Sequence, residues 1–130
     1  MYMLDTNTLI YFFKGMGDVE KNLFLHSPKD IFISSIVLYE LRVGIAKSNN
    51  PQKREKQLSV LLKQINVIDF SKEEAKASAL LRAILETRGT PIGPIDTLIA
   101  GSAKANNLTL ITHNTNEFNR VEGLKLDDWF

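Results

Sequence analysis

The sequence predicts a three-layer α/β/α fold with a mainly parallel central sheet. Short runs rich in apolar residues recur at Tyr2–Leu4, Ile31–Ile33, Val67-Ile68 and Leu108–Ile111. Longer segments with helical spacing separate them, and capping residues or prolines stand at the seams. Strands that alternate with helices argue for βαβ units, whose crossovers are right-handed.

Tyr2–Leu4 ends in Asp5, and Thr6, Asn7 and Thr8 are capping types ahead of Leu9–Phe13, so strand, turn and helix are expected here. A second helix is expected over Val19–His26, stopped by Ser27-Pro28. Ile31–Ile33 reads as a strand. Ser34 or Ser35 then caps a helix from Ile36 to Lys47, which Asn49-Asn50-Pro51 breaks. Pro51 suits the first position of the next helix, expected to Gln64. Val67-Ile68 is a short strand. Ser71 followed by Glu73 and Glu74 is a strong helix start, and Gly89 a stop after Arg88. Ala77, Leu80, Leu81 and Ile84 form the expected apolar stripe of that helix. Pro94 opens a helix from Ile95 to Ala105, Leu108–Ile111 is a strand, and Leu124–Leu126 is the last expected strand.

The 130 residues favour one domain over residues 1–130. Hydrophobic residues make up 44% and charged residues 24%, which excludes disordered and collagen-like chains. The absence of cysteine excludes a disulfide scaffold, a thiolate zinc site and a cysteine nucleophile. The longest apolar run, Leu9–Phe13, is far short of a membrane span, and Asp5 interrupts any signal-peptide core. A soluble cytoplasmic protein with no membrane partner is the expectation. Net charge is only +1, but Arg42, Lys47, Lys53, Arg54, Lys56 and Lys63 crowd a stretch that holds one acid, Glu55. Such a stretch is either a solvated helix face or a surface that holds phosphates.

Three acids sit in apolar company. Asp5 ends the first strand, where ligands bind in open parallel sheets. Glu40 has Ile36, Val37, Val43 and Gly44 at helical spacing. Asp96 lies in the first turn of its helix, with Ile92, Ile99 and Ala100 around it. Turn and capping roles account for Asp5 and Asp96 singly. Together, carboxylates on apolar faces without local cations are costly unless something pairs with them. A hard divalent cation such as magnesium fits, since it takes oxygen ligands and few carboxylates. Such a site activates water and steadies phosphate oxygens, so metal-dependent phosphodiester hydrolysis is the leading chemistry.

Rival sites fail on particular residues. No GxxxxGK[ST] loop and no GxGxxG after the first strand are present. A receiver-like domain would want an acidic pair after the first strand, and only Asp5 is there. Ser-His-Asp catalysis has only His26 and His113 to draw on. His26 reads as a surface residue, and His113 as a loop or RNA-contact residue with no orienting partner visible in the sequence.

These residues resemble a known family. "MLDTNTLIYF" is similar to the opening of PIN-domain ribonucleases, with Asp5 at the first acid position. "SSIVLYELRVG" resembles their second motif and carries Glu40. "PIGPIDTLIAGSAKANNLTLIT" resembles the third and carries Asp96. "THNTNEFNRVEGLKLDDW" is similar to the ending of VapC toxins of bacterial and archaeal toxin–antitoxin pairs. The resemblance implies a PIN-like fold and an endoribonuclease that binds Mg2+, or Mn2+ as a substitute, through Asp5, Asp96 and Glu40, the last directly or through water. It implies a structured RNA target such as a tRNA, a cognate antitoxin, a toxin homodimer and a toxin–antitoxin hetero-oligomer. Asn7 and Thr112 match supporting positions. Where many members carry a fourth acid, this chain has Asn114, with Glu117 nearby. Arg42, Lys47, Lys53, Arg54 and Lys56 are the expected RNA-binding residues. Two other readings stand beside this one: an inactive interaction module, and a metal-dependent DNA nuclease.

Overall fold

The computed structural model describes residues Met1–Phe130. Strand β1 (Tyr2–Leu4) leads into helix α1 (Thr6–Lys14) and the short α2 (Val19–Leu23). A 3₁₀ turn at Pro28–Asp30 precedes β2 (Ile31–Ser34), α3 (Ser35–Lys47), α4 (Pro51–Leu62) and β3 (Asn66–Ile68). Helices α5 (Lys72–Thr87) and α6 (Pro94–Ala105) lead to β4 (Thr109–Ile111), α7 (Thr115–Phe118) and β5 (Leu126–Asp127). The five strands form one sheet in the order β3-β2-β1-β4-β5, and every pairing is parallel.

That order fixes where a site can form. The chain winds from β1 out to β3, then returns to β4 and β5 on the other side of β1. Right-handed crossovers in opposite directions put helices on both faces of the sheet. The reversal falls between β1 and β4, and the crevice beyond their carboxyl ends is the topological switch point. Leu4 pairs with Ile111 there, and the Asp5 amide donates to the Ile111 carbonyl at 3.1 Å. Asp5 and Thr112 are therefore the first residues past the sheet on neighbouring strands. The strand interiors are core: Met3, Leu4, Ile33, Leu110 and Ile111 have no exposed surface, and Ile31 is 1% exposed.

Several details depart from the sequence reading. Asp5 itself, rather than a following threonine or asparagine, caps α1, accepting from the Thr8 amide at 2.8 Å. Helix α2 stops at Leu23 instead of His26, because the next amides turn back to Asn22 and Leu23 in tighter bonds. The last strand is Leu126–Asp127 rather than Leu124–Leu126, since its register is set by Leu110↔Leu126 and Ile111↔Asp127. The single turn of α7 was not expected. Helix α5 buries Glu74, Ser78, Leu81 and Leu85, while Leu80 is 64% and Ile84 41% exposed, so the expected stripe is rotated. Its cause is the crossing with α6. A Cβ at Gly101 would lie 1.9 Å from Ser78 Oγ, so two small residues let these helices meet and fix the buried face.

Candidate active site

At the switch point Asp5 is 5% exposed and bonded on both carboxylate oxygens. Oδ1 accepts from the Thr8 amide at 2.8 Å, and Oδ2 from the Thr112 hydroxyl at 2.5 Å. Thr112 is fully buried, and its hydroxyl also accepts from the Asn114 amide at 3.0 Å. Burial pushes the Asp5 carboxyl up despite these donors, and the nearby Asp128 charge pushes the same way.

Asp96 arrives from the first turn of α6, which Pro94 opens. Its carboxyl is pushed up to about 6, first by burial and then by the charges of Glu117, Asp5 and Glu40. Those three charges bring the cluster into one field. Glu40, half-buried on α3, accepts from the Thr6 hydroxyl at 2.5 Å. Asn7 is exposed and makes no bond to the acids, so Thr6 does the supporting work on this side.

Glu117 stands beside Asn114 and is held by two donors. Its Oε1 accepts from the Gly93 amide at 2.8 Å and its Oε2 from Asn114 Nδ2 at 2.8 Å. These two donors hold its carboxyl below the ordinary value. Asp96 Oδ2 and Glu117 Oε1 lie on the same side of Gly93, 3.6 and 3.8 Å from where a Cβ would be. Asparagine supplies no charge here, but it aims one. The i to i+3 spacing of Asn114 and Glu117 was the available signal, hidden because a one-turn helix has no periodicity to read.

None of Asp5, Glu40, Asp96 and Glu117 takes part in a salt bridge. No three acidic or histidine side chains close into a ready-made metal cage. Although the Arg120 charge helps to lower the Glu117 carboxyl, the donors are hard oxygens that repel one another, and none is ion-paired. That suits an ion that keeps several waters and takes few carboxylates, so the residues fit magnesium or manganese.

The residues of the basic stretch have different neighbours. Arg42 is bound to Glu55 by Nη1 at 2.7 and 3.0 Å. Arg54 and Lys14 line a cleft that opens on Glu40, with Ile10, Phe13, Leu41 and Leu58 as apolar wall. Lys53 and Lys56 line an adjoining cleft with Phe12, Phe24 and Val60. Lys47 is exposed at the end of α3. His26 is half-buried rather than superficial, stacked on Trp129 with ring centres 4.7 Å apart. His113 does have an orienting partner: its Nδ1 lies 2.9 Å from Asp128 Oδ2.

Comparison with known proteins places the chain among relatives of the same size and fold. The chain is 40% identical over 131 residues to ribonuclease VapC2 of Rickettsia felis, covering 99% of this chain and 98% of that one. It is 35% identical over 128 residues to the tRNA(fMet)-specific endonuclease VapC of Salmonella typhimurium, covering 98% and 97%. In crystal structures, it superposes on a chain of DNA-bound VapBC from Salmonella typhimurium with a TM-score of 0.92 at 35% identity, covering 99% and 98%. A chain of VapBC2 from Rickettsia felis bound to promoter DNA gives 0.90 at 39% identity, with the same coverage. The PIN domain family model matches residues 2–124, which takes in Asp5, Glu40, Asp96 and Glu117, and the chain belongs to the PIN domain family.

Proposed function

We propose that this chain is the endoribonuclease toxin of a toxin–antitoxin pair, hydrolysing phosphodiester bonds of a structured RNA such as a tRNA with the help of magnesium. The observation that carries the proposal is a cluster of four carboxylates, none of them in a salt bridge, at the switch point of a PIN-family sheet. Full-length relatives named as ribonucleases support RNA as the substrate, and the name of the Salmonella relative supports a tRNA.

Asp5 and Asp96 would hold the ion, with Glu40 and Glu117 close enough to add a direct or water-bridged ligand. A bound divalent ion supplies a water of lowered pKa and positive charge against the phosphate oxygens. The chain's own work is to keep acceptors pointed at one place. Thr8 and Thr112 fix both oxygens of Asp5, Thr6 fixes Glu40, and Asn114 with the Gly93 amide fixes Glu117. The hydroxyls that stand among the acids, Thr6 and Thr112, are engaged in donating to carboxylates, and a metal-activated water is the proposed nucleophile.

The structural relatives are VapBC assemblies, which supports an antitoxin as partner. The apolar cleft opening on Glu40 suits an apolar antitoxin segment carrying one basic side chain into the acids. A toxin homodimer within a hetero-oligomer and action in the cytoplasm complete the proposal. No helix is long and apolar enough to cross a membrane.

The test is incubation of the purified chain with tRNA(fMet) and with DNA of matched sequence, with and without magnesium. RNA cut only with magnesium, and protected by the co-purified antitoxin, is the expected result. Equal cutting of DNA would favour the DNA-nuclease reading, and no cutting of either would favour an interaction module.

A further inference from the structure

A second group of side chains is locked together on the rim of the carboxylate cluster. His113 follows Thr112, which grips Asp5, and precedes Asn114, which grips Glu117. Its Nδ1 is 2.9 Å from Asp128 Oδ2. Its ring stacks on Phe130 with centres 4.2 Å apart and planes at 22°, and Tyr11 of α1 meets it edge-on at 6.0 Å. Asp128 is held in turn, its Oδ1 accepting from the Phe130 amide at 2.9 Å. Phe130 is held by the Asp18 amide, 2.5 Å from its carbonyl oxygen. Gly17 packs so tightly there that a Cβ would lie 2.7 Å from the same oxygen. The imidazole remains 46% exposed.

The plain alternative is a surface pair that ties the segment after β5 to the loop after β4. That tie already exists without it. The Thr112 amide donates to the Asp127 carbonyl at 2.9 Å, and Asn22 Nδ2 to the Trp129 carbonyl at 2.9 Å. What Asp128 adds is a tautomer. A carboxylate only accepts, so the proton of the neutral ring sits on Nδ1 and Nε2 presents a lone pair. Phosphate oxygens cannot answer a lone pair. On a sugar–phosphate backbone the one hydroxyl donor along the chain is the ribose 2′-OH, which DNA lacks.

We propose that His113, oriented by Asp128 and bedded on Phe130, reads the sugar of the substrate, its Nε2 accepting a hydrogen bond from the 2′-hydroxyl of a nucleotide beside the scissile phosphate. This rests on the ribonuclease reading and adds a specificity-determining residue to it.

The variants follow from the contacts. His113→Ala removes the acceptor. Asp128→Asn does so more subtly. The Phe130 amide needs an oxygen, so the new amide turns its NH2 toward His113, Nδ1 must accept, and the proton moves to Nε2. The probe is tRNA(fMet), remade with a single 2′-deoxy sugar at each of the three nucleotides on either side of the mapped cut. In the parent, one substitution should lower kcat/KM by roughly 3–10-fold, as befits one neutral hydrogen bond. Both variants should cut the all-ribose RNA more slowly by a similar factor and be indifferent to that deoxy sugar. A variant that keeps the parent's deoxy penalty, or a parent with no such position, overturns the proposal. His113→Ala changes an exposed ring and decides alone should Asp128→Asn misfold. If the parent cuts no RNA, the ribonuclease reading fails. The affinities of tRNA(fMet) and its all-2′-deoxy counterpart in EDTA then still test His113. Equal affinity for the two in the parent counts against the proposal.

Discussion

Asp96 shares one field with Glu117, Asp5 and Glu40, and none of the four is in a salt bridge. Its carboxyl is raised from 3.8 to about 6. A raised acid contributes stability below its ordinary value and loses it as pH rises through the folded one. The metal-free protein should therefore weaken between about pH 4 and 6, relative to Asp96→Asn, which cannot ionise. Above pH 6 that variant should melt no lower than the parent, less about 0.3–1 kcal/mol if Asp96 also serves the start of α6. Magnesium at ~100 times its dissociation constant should stabilise the parent by about 2.7 kcal/mol, a rise in Tm of several degrees. Asp96→Asn should lose most of that rise and all RNA cleavage. Normal cleavage with an unchanged magnesium response would reduce Asp96 to a helix-start residue. Three of the four acids were legible because a carboxylate in apolar company stands out in a linear sequence. Glu117 stood out only as a neighbour of Asn114, and the His113–Asp128 pair did not stand out at all. Their roles depend on a one-turn helix and on a contact across 15 residues, neither of which leaves a periodic trace.

Helices make a different kind of error visible. Their existence was readable from caps, prolines and apolar spacing, and Ser71 with Glu74 does form the expected capping box. The buried face of α5 was not readable, since Leu80, Leu81, Ile84 and Leu85 offer two apolar stripes one residue apart. The choice between them is made on another helix, by Gly101. Gly101→Ala would place its Cβ 1.9 Å from Ser78 Oγ and 2.7 Å from Ser78 Cα, so the helices must separate. A loss of about 1–3 kcal/mol in urea unfolding is expected. Ser78→Ala points the other way. Its buried Oγ has no hydrogen-bond partner, so removing it should be neutral or stabilising by up to about 1 kcal/mol. A Gly101→Ala protein as stable as its parent would show that the crossing yields more easily than the distances imply. Glu74 gives the same region an acid-sensitive lock. Hydrogen bonds from Ser71, with one from Asn106, pull its carboxyl down to about 2. Its contribution is intact above the ordinary value of 4.5 and fades as pH falls toward 2.

Across the whole molecule, the parallel order of the strands brings residues 5, 40, 96 and 117 to one crevice, while the basic stretch stays on the consecutive helices α3 and α4. A run of cations that looks continuous in sequence is split by geometry into residues with different neighbours. Arg42 already holds Glu55 through two short bonds on the surface. Arg54 lines the cleft that opens on Glu40, as does Lys14. A phosphate of an RNA strand leaving the carboxylates toward that cleft meets Arg54 before any other member of the stretch. Arg54→Ala should then weaken RNA binding and lower the slope of log affinity against log salt by about 0.7–0.9, the release belonging to one phosphate contact. Arg42→Ala frees a glutamate and breaks an exposed pair that contributes about 0–1 kcal/mol, so neither the slope nor the stability should move much. Both slopes can be read by filter binding in EDTA, where no cleavage intervenes. If Arg42→Ala lowers the slope and Arg54→Ala does not, the RNA crosses the outer face of α3 and α4 instead, and the cleft beside Glu40 is left to the antitoxin alone.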